Sequence, residues 1–351
     1  MVDKQLMRGN EAIAESAIRA GCRNYFAYPI TPQAELLQWM AVHMPEAEGG
    51  TFLQAESEIG AINMVYGAAS AGERTMTSSS SPGVSLKQEG ISYLAGADLP
   101  AVVVNIMRGG PGLGNIQPAQ GDYFQATKGG GHGDYRIITL APSTVPEASR
   151  LTYDAFDLAD AYRTPVMILA DGMIGQMMEP VELPERKPPE EIPPKPWATT
   201  GAKGREGNVI KSFALGGENL KAMNVARFER YEKIEEKEVR YEEVNTDNPD
   251  IILAAFGTVA RIVKSTIRLA EEEGLEIGLF RPVTVWPFPA ARLNELSAEV
   301  DTVLTVEMNA GQMVEDVKLA VRPETETPFY GEVGGVVPTP GNILEEVKKY
   351  V

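Results

Sequence analysis

Short apolar runs alternate with helical segments through the first half of the chain, and this alternation limits the possible folds more than any other feature of the sequence. Because these runs are apolar nearly throughout, helices must cover both of their faces, as happens in a parallel sheet. The sequence therefore predicts an α/β domain that ends near Pro180. Its strands are expected at residues 24–28, 51–55, 75–78, 101–107, 135–140 and 165–170.

A second, smaller alternation occupies the last hundred or so residues. It starts with the apolar run 251–258, continues with strands near 276–280 and 302–306, and closes with a helix that begins at Pro340. This pattern predicts a second α/β domain. The expected boundaries are 1–183 for the first domain, 184–246 for a linker that contains a helix, and 247–351 for the second domain.

The linker has two parts of different composition. Residues 184–196 are rich in proline and charge, which predicts an extended arm that wraps or tethers and belongs to no core. Residues 217–245 are dense in Glu, Lys and Arg, with Met223, Val225 and Phe228 at roughly helical spacing. This pattern favours a solvated helix packed by one narrow stripe over a helix that binds a partner.

Two strand-to-helix corners stand out in the first domain. Pro32 follows the first strand and suits the first position of a helix, which would place Thr31 at the N-cap. Glu58 follows the second strand and would lie in the first turn of a helix that runs toward Gly72. Carboxyl ends of parallel strands share one edge of the sheet, so Thr31 and Glu58 are expected to face one cleft.

Three motifs resemble those of one enzyme family. They are Y-P-I-T-P at residues 28–32, S-E-I-G-A at 57–61 and E-M-N-A-G-Q at 307–312. Together they resemble the alpha subunit of the 2-oxoacid:ferredoxin oxidoreductases, which are thiamine-diphosphate enzymes, over nearly the whole chain. Residues 87–93 and 108–115 are most similar to the branched-chain (3-methyl-2-oxobutanoate) type.

The resemblance implies both a fold and a reaction. The fold is a parallel-sheet, thiamine-diphosphate pyrimidine-binding domain followed by a smaller transketolase C-terminal-like domain, of which R-P at 281–282 and W-P-F-P at 286–289 are typical. The reaction is oxidative decarboxylation of a 2-oxoacid with coenzyme A to acyl-CoA, carbon dioxide and reduced ferredoxin. A 2-oxoglutarate- or pyruvate-specific member, another type of thiamine enzyme subunit and a noncatalytic scaffold remain alternatives.

The acid–base residue implied by the resemblance is Glu58. A carboxylate hydrogen-bonded to the pyrimidine ring nitrogen of thiamine diphosphate allows the cofactor to act as its own base. Glu56 is the rival within the same motif, and alignment with the family selects Glu58. Ser80 and Ser81 lie at the third strand-to-helix corner and are expected to line the pyrimidine pocket.

Substrate binding is assigned to three residues. Arg108 follows the apolar strand 101–107, and its guanidinium can hold a 2-oxoacid carboxylate through two parallel N–H bonds. The resemblance matches Arg108 to the substrate-carboxylate arginine of the family and Thr31 to its substrate-contacting threonine. Lys128 lies in a second glycine-rich loop, for which ligand contact and a plain loop are both open.

Composition limits what else this chain can hold. The net charge of −17 argues against nucleic acid as a partner. Cys22 is the only cysteine and there are two histidines, so neither a cysteine-ligated iron–sulfur cluster nor a histidine-rich metal site is expected. The Gly-Asp-Gly…Asn motif that holds magnesium and the diphosphate is also missing, since Asp171-Gly172-Met173 lacks the first glycine.

The missing magnesium and diphosphate motif and the missing cluster ligands predict that the cofactor site is shared between two chains. The family resemblance implies that a beta subunit supplies the magnesium ion, the diphosphate-binding half of the thiamine diphosphate site and an iron–sulfur cluster. It also implies gamma and ferredoxin-like delta subunits, ferredoxin and coenzyme A as further partners. No apolar run reaches the length needed to cross a membrane, and residues 1–4 do not begin a signal peptide. A cytoplasmic location is therefore expected, and the family resemblance implies anaerobic metabolism.

Overall fold

The computed structural model describes residues 4–351. The first three residues, on which the expectation about a signal peptide depends, lie outside the described residues. The strands are β1 (Gln5–Arg8), β2 (Asn24–Ala27), β3 (Thr51–Gln54), β4 (Thr75–Ser79), β5 (Ala101–Met107), β6 (Ile138–Leu140), β7 (Pro165–Asp171), β8 (Met178–Val181), β9 (Tyr241–Val244), β10 (Ile251–Ala254), β11 (Ile277–Pro282), β12 (Thr284–Trp286), β13 (Val303–Glu307) and β14 (Phe329–Gly331).

Helices connect most of these strands. The helices are α1 (Gly9–Arg19), α2 (Ala34–His43), α3 (Glu58–Ser70), α4 (Ser81–Gly96), α5 (Tyr123–Thr127), α6 (Val145–Tyr162), α7 (Gly172–Gln176), α8 (Gly217–Lys237), α9 (Gly257–Glu272), α10 (Ala290–Leu296), α11 (Met313–Ala320) and α12 (Pro340–Val347). In the described part of the chain, no helix combines the length and the apolar character that crossing a membrane requires.

The larger sheet has seven strands in the order β12-β6-β7-β5-β4-β2-β3. All of its pairings are parallel except that of β12 with β6. Strand β5 is buried along its whole length because its side chains pack into two separate cores, one on each face of the sheet. Val102 and Val104 pack with α1, α2 and α6, whereas Val103 packs with α3 and α4 on the other face. The predicted doubly covered parallel sheet is confirmed.

The smaller sheet has five strands in the order β14-β13-β10-β11-β9, with β9 antiparallel to β11. Its buried residues pack against α9 and α12 on one face, while Ile252 and Phe280 belong to a core that includes α10 and α11 and extends to α3 and α4. The α/β class with two consecutive sheets is thus confirmed. Strand β12 comes from the second half of the chain and closes one edge of the larger sheet, so the two halves share a sheet.

Two local expectations needed adjustment. Strand β6 is shorter than the predicted 135–140, because Tyr135 closes the preceding loop: its backbone N–H donates to Gly133 O and its hydroxyl accepts from Gly131 N. In α8, the predicted stripe is wrong, since Val225 and Phe228 are exposed and the buried positions are Arg227, Tyr231 and Ile234. The helix is solvated, as expected.

The proline-rich arm wraps across the first domain. Lys187 N donates to Arg19 O at 2.7 Å, and its ammonium pairs with Asp157 on α6. Further along, Lys195 pairs with Asp160 at 2.7 Å. These contacts fasten the arm to the helices on one side of the larger sheet, as expected for a wrapping segment.

Candidate functional site

The carboxyl ends of β2, β3, β4 and β5 lie side by side at one edge of the larger sheet. The segments that follow these strands carry Thr31, Glu58, Ser80 with Ser81, and Arg108. Ligands of open parallel sheets bind at such an edge. Four of the five candidate binding segments predicted from sequence therefore meet in one region, and Lys128 lies elsewhere.

Glu58 is the first residue of α3, which begins where it was predicted. The Ser57 hydroxyl caps this helix by accepting from Gly60 N at 3.0 Å. The Glu58 side chain is buried, whereas the rival Glu56 is exposed. The carboxylate lies against Gly83 of α4, where a Cβ atom would be only 2.5 Å from Glu58 Oε1. The absence of a side chain at Gly83 thus makes room for Glu58.

Two unpartnered hydroxyls lie at the β4–α4 corner beside Glu58. Ser79 Oγ and Ser80 Oγ are buried without a hydrogen-bond partner. A Cβ atom at Gly83 would also lie only 2.1 Å from Ser79 Oγ, so this hydroxyl and the Glu58 carboxylate lie against the same side of Gly83. Buried hydroxyls are normally hydrogen-bonded, so a pair of orphaned ones marks a place where a polar ligand group fits.

Ser81 has a different role from Ser80. Its hydroxyl donates to Asp122 Oδ2 at 2.6 Å and accepts from Arg108 N at 3.0 Å. Burial raises the pKa of Asp122, and hydrogen bonds from Ser81 and Asn105 oppose that rise. Ser81 therefore links the α4 corner to the base of the Arg108 loop, and its oxygen is already engaged.

Arg108 and Thr31 are brought together. Arg108 Nη1 donates to Thr31 O at 2.9 Å, and Nη2 donates to Leu113 O at 2.9 Å. Arg108 Nε is buried without a partner. A guanidinium carries five N–H donors, and the Nε–H of Arg108 is a donor that no protein group uses.

The predicted N-cap role of Thr31 is wrong. Helix α2 begins at Ala34 with Gln33 at its N-cap, and no side chain caps it. The Pro32 carbonyl accepts from Asn10 Nδ2 at 2.8 Å and from Gln176 Nε2 at 2.9 Å. These bonds hold residues 31 and 32 in a turn before the helix. Thr31 is exposed there and contacts Arg108 through its backbone.

A cavity of about 630 Å³ opens beside Arg108. Both domains line it, since the second domain contributes residues 308–310, Gln312 and residues 333–334. Gln312 joins the domains directly, because its Oε1 accepts from Phe124 N at 2.8 Å and its Nε2 donates to Gly121 O at 2.7 Å. Asn115, in the loop after Arg108, also donates to Gly334 O at 2.8 Å.

Lys128 does not line the cavity beside Arg108. It follows α5, and its ammonium pairs with Asp316 of α11. Both residues line a separate cavity that also includes Arg136 and Trp286. The contact with Asp316 connects the two domains, and it leaves the proposed substrate role of Lys128 without support from this geometry.

Sequence reasoning missed Lys87. Its side chain is completely buried in α4, and its Nζ donates to Thr77 Oγ1 at 2.6 Å and to Ser78 O at 2.8 Å. Burial lowers the pKa of Lys87 to about 7, while the nearby charge of Glu58 opposes that shift. A signal was present, because Lys87 occupies the apolar stripe of α4 at helical spacing with Val84 and Ile91.

The described residues offer no sign of a metal centre within this chain. Across residues 4–351, no group of three or more His, Cys, Asp or Glu side chains is arranged to hold a metal ion. Cys22 is fully buried, and this burial raises the pKa of its thiol to about 12. Asp171, in the incomplete Asp-Gly motif, caps α7 by accepting from Met173 N at 2.9 Å.

Two family models match this chain, and several relatives are similar to it over most of its length. The family model "Pyruvate flavodoxin/ferredoxin oxidoreductase, thiamine diP-bdg" matches residues 15–246, and "Pyruvate:ferredoxin oxidoreductase core domain II" matches residues 249–343. The ketoisovalerate oxidoreductase subunit VorB of Methanothermobacter marburgensis is 52% identical, with 90% of this chain and 89% of the relative covered. The 2-oxoglutarate synthase subunit KorA of Methanocaldococcus jannaschii is 36% identical, with 99% of each covered.

Solved structures are similar as well. The 2-oxoglutarate:ferredoxin oxidoreductase of Magnetococcus marinus, solved with 2-oxoglutarate, coenzyme A and succinyl-CoA bound, superimposes with a TM-score of 0.88 at 27% identity. The match covers 99% of this chain and 65% of that longer chain. A split-gene transketolase in an inactive tetramer matches with a TM-score of 0.60 at 12% identity over 98% of each chain, which shows the fold alone.

Proposed function

The chain belongs to the thiamine-diphosphate-binding family of pyruvate flavodoxin/ferredoxin oxidoreductases, and on that basis we propose that it is the alpha subunit of a branched-chain 2-oxoacid:ferredoxin oxidoreductase. The assembled enzyme would oxidise 3-methyl-2-oxobutanoate with coenzyme A to an acyl-CoA and carbon dioxide. This oxidation releases two electrons from the substrate, and each of two ferredoxin-type acceptors takes up one of them. The observation that carries the substrate assignment is the lining of the cavity beside Arg108.

The residues around Glu58 fit the pyrimidine end of thiamine diphosphate. When bound, this cofactor supplies the nucleophilic carbon and the electron sink that decarboxylation needs. Glu58 would hold a proton at the pyrimidine ring nitrogen, and the orphaned hydroxyls of Ser79 and Ser80 would bond to its polar atoms. Ser81 would act indirectly, by fixing the backbone of Arg108.

The substrate carboxylate is assigned to the free edge of Arg108. Its Nε–H lacks a partner in the protein, and the contact with Thr31 O holds the guanidinium plane in place. A planar fork of this kind binds a carboxylate through two parallel hydrogen bonds. Thr31 is therefore proposed to orient Arg108, in addition to the substrate contact that the family resemblance implies.

The rest of the cavity favours an aliphatic tail. Within the described part of the chain, Arg108 is the only basic residue that lines it, and Asp122 is acidic. Its apolar lining is Pro82, Pro111, Ala119, Met308, Ala310 and Val333. The second carboxylate of 2-oxoglutarate would meet no basic partner from this chain, and an unpaired carboxylate is costly to desolvate. A branched aliphatic tail carries no such cost.

We expect a substrate panel on the native assembly to show this preference. Specificity, as kcat/KM for reduction of a ferredoxin or viologen acceptor, should be about 10- to 100-fold higher for 3-methyl-2-oxobutanoate than for 2-oxoglutarate. Omission of coenzyme A should abolish acceptor reduction. A preference for 2-oxoglutarate or pyruvate would contradict the substrate assignment. Aldehyde release without coenzyme A or an acceptor would instead indicate a simple decarboxylase subunit.

A partner chain is proposed for the other half of the cofactor site. The elements around Glu58 expose large apolar side chains, namely Tyr28, Leu53, Ile59 and Leu86. Exposed apolar patches of this kind mark interaction surfaces. A beta subunit that covers them would bring the magnesium ion, the diphosphate site and an iron–sulfur cluster next to Glu58. Gamma and ferredoxin-like delta subunits are proposed to complete electron transfer to ferredoxin.

The role of Arg108 predicts the effect of a conservative change. In Arg108→Lys, the ammonium cannot reproduce the fork, so we expect KM for the 2-oxoacid to rise about 10- to 100-fold, equivalent to roughly 1.5–3 kcal/mol. Steady-state kinetics of the native assembly at fixed coenzyme A concentration would measure this. Arg150→Lys, on the exposed face of α6, is the matched control and should leave KM unchanged. An unchanged KM in Arg108→Lys would make Arg108 a structural residue.

A further inference from the structure

Two glycines bring α4 unusually close to α3. A Cβ atom at Gly83 would lie 2.5 Å from Glu58 Oε1, and one at Gly90 would lie 2.5 Å from Ile62 Cγ1. These glycines are seven residues apart and therefore share one face of α4. Lys87 lies between them on that face. Its side chain is consequently enclosed between α4, the start of α3 and strand β4.

The ammonium of Lys87 has a fixed set of neighbours at the end of β4. It donates to Thr77 Oγ1 and Ser78 O, and the Thr77 hydroxyl in turn donates to Phe26 O at 2.6 Å. Residue 87 has no exposed surface. A buried cation is costly unless an opposite charge compensates it. The nearest opposite charge comes from the start of α3, where Glu58 Oε1 lies against Gly83, one turn before Lys87 on the same face of α4, and it partly opposes the effect of burial on the lysine.

We propose that Lys87 is a positioning residue for Glu58: its buried ammonium fixes the end of β4 through Thr77 and Ser78, and its charge holds the Glu58 carboxylate toward the cofactor side of the cleft. This role rests on the proposed function of Glu58. Lys87 is not among the residues that line the cavity beside Arg108. Its effect therefore passes through the charge of Glu58 and through the β4–α4 corner that carries Ser79 and Ser80.

The other titratable groups around Lys87 contribute no further buried charge beside its ammonium. Glu58 is the charged group that α3 presents to it. From β2, the Tyr25 hydroxyl bonds to Ser78 Oγ at 2.6 Å, and burial raises the pKa of Tyr25 so that it stays neutral. On α4, Gln88 is neutral, and Glu89 is exposed and accepts from the Tyr93 hydroxyl.

A pH profile of the native assembly tests the proposal. In Lys87→Met, the buried carboxyl of Glu58 loses its compensating charge and favours its protonated form. We expect the acidic limb of the kcat profile to move to higher pH by about one unit, while KM for the 2-oxoacid stays within about twofold. Lys187→Met is the control, because it removes an ion-paired lysine on the arm. An acidic limb unchanged in Lys87→Met would overturn the proposal.

A thermal double-mutant cycle on the full chain gives a readout independent of activity. If the charges of Lys87 and Glu58 interact, the change in Tm caused by Lys87→Met should differ between the wild-type and Glu58→Gln backgrounds by at least about 1–2 °C. Strictly additive changes in Tm would overturn this interaction and with it the proposal. Should Lys87→Met not fold, Thr77→Val removes one acceptor of the ammonium and should shift the acidic limb in the same direction by a smaller amount. An unshifted limb in Thr77→Val would likewise overturn it.

The two levels of the proposal fail in different ways. Near wild-type turnover in Glu58→Gln would remove the role of Glu58, whatever Lys87→Met does. An inactive Glu58→Gln assembly together with a Lys87→Met assembly of unchanged pH profile would remove only the role of Lys87.

Discussion

Glu58→Gln is expected to lower turnover of the native assembly by roughly 10²-fold or more while leaving assembly intact. Glutamine has nearly the same size, so the side chain should still fit against Gly83. It cannot carry the negative charge that stabilises a proton on the pyrimidine ring nitrogen, and general acid–base groups typically contribute 10²–10⁴-fold to rate. Acceptor reduction at saturating 2-oxoacid and coenzyme A would measure the loss.

Glu56→Gln provides the matched control for this experiment. Glu56 is two residues away in the same motif, but it is exposed, and its carboxylate lies against Gly60. Its variant should keep near wild-type turnover. Retained turnover in Glu58→Gln, or an equal loss in both variants, would contradict the assignment of the acid–base role to Glu58.

The central strands of both sheets were predictable because most of them are nearly uninterrupted apolar runs, whereas the edge strands β9, β12 and β14 were not predicted. Strand β5 was expected at 101–107 and is found at Ala101–Met107, with every residue buried. The start of α3 was predictable for a local reason, because Ser57 caps the helix through its own hydroxyl. Where the forces that set an element are local, the sequence alone was sufficient.

Long-range hydrogen bonds explain the error at Thr31. A proline usually marks the first turn of a helix, yet the Pro32 carbonyl is held by Asn10 and Gln176, which are far away in sequence. These bonds keep Pro32 outside α2. The addition of β12 to the larger sheet was equally unpredictable from the sequence, since Thr284–Trp286 is short and its pairing in the described structure is with β6. Covering the edge of β6 protects its unpaired backbone groups.

The hidden role of Lys87 has a different cause. A lysine is usually assigned to the solvated face of a helix, even where the spacing of its apolar neighbours places it in the buried stripe. What makes the buried position tolerable is the pair of hydrogen bonds from the ammonium to the end of β4, together with the close approach of α3 that Gly83 and Gly90 allow. None of these contacts follows from the local sequence of α4.

The proposed division of the cofactor site predicts how the purified chain behaves alone. Its described residues supply Glu58 and the β4–α4 corner with Ser79 and Ser80. They include no metal-binding cluster, and the single cysteine is buried. We therefore expect the isolated chain to bind thiamine diphosphate weakly, to carry no iron and to show no oxidoreductase activity. Mixing it with a beta-type partner should create a magnesium-dependent site and restore activity.

Calorimetry with thiamine diphosphate, with and without magnesium, would test this expectation on the isolated chain and on the reconstituted pair. The exposed apolar residues around Glu58 give a structural control: Leu53→Asp and Ile59→Asp lie on the surface assigned to the partner and should weaken reconstitution. Tight, magnesium-dependent binding by the isolated chain would contradict the split site. It would mean that a loop of this chain holds the diphosphate, and that the exposed residues around Glu58 serve another contact.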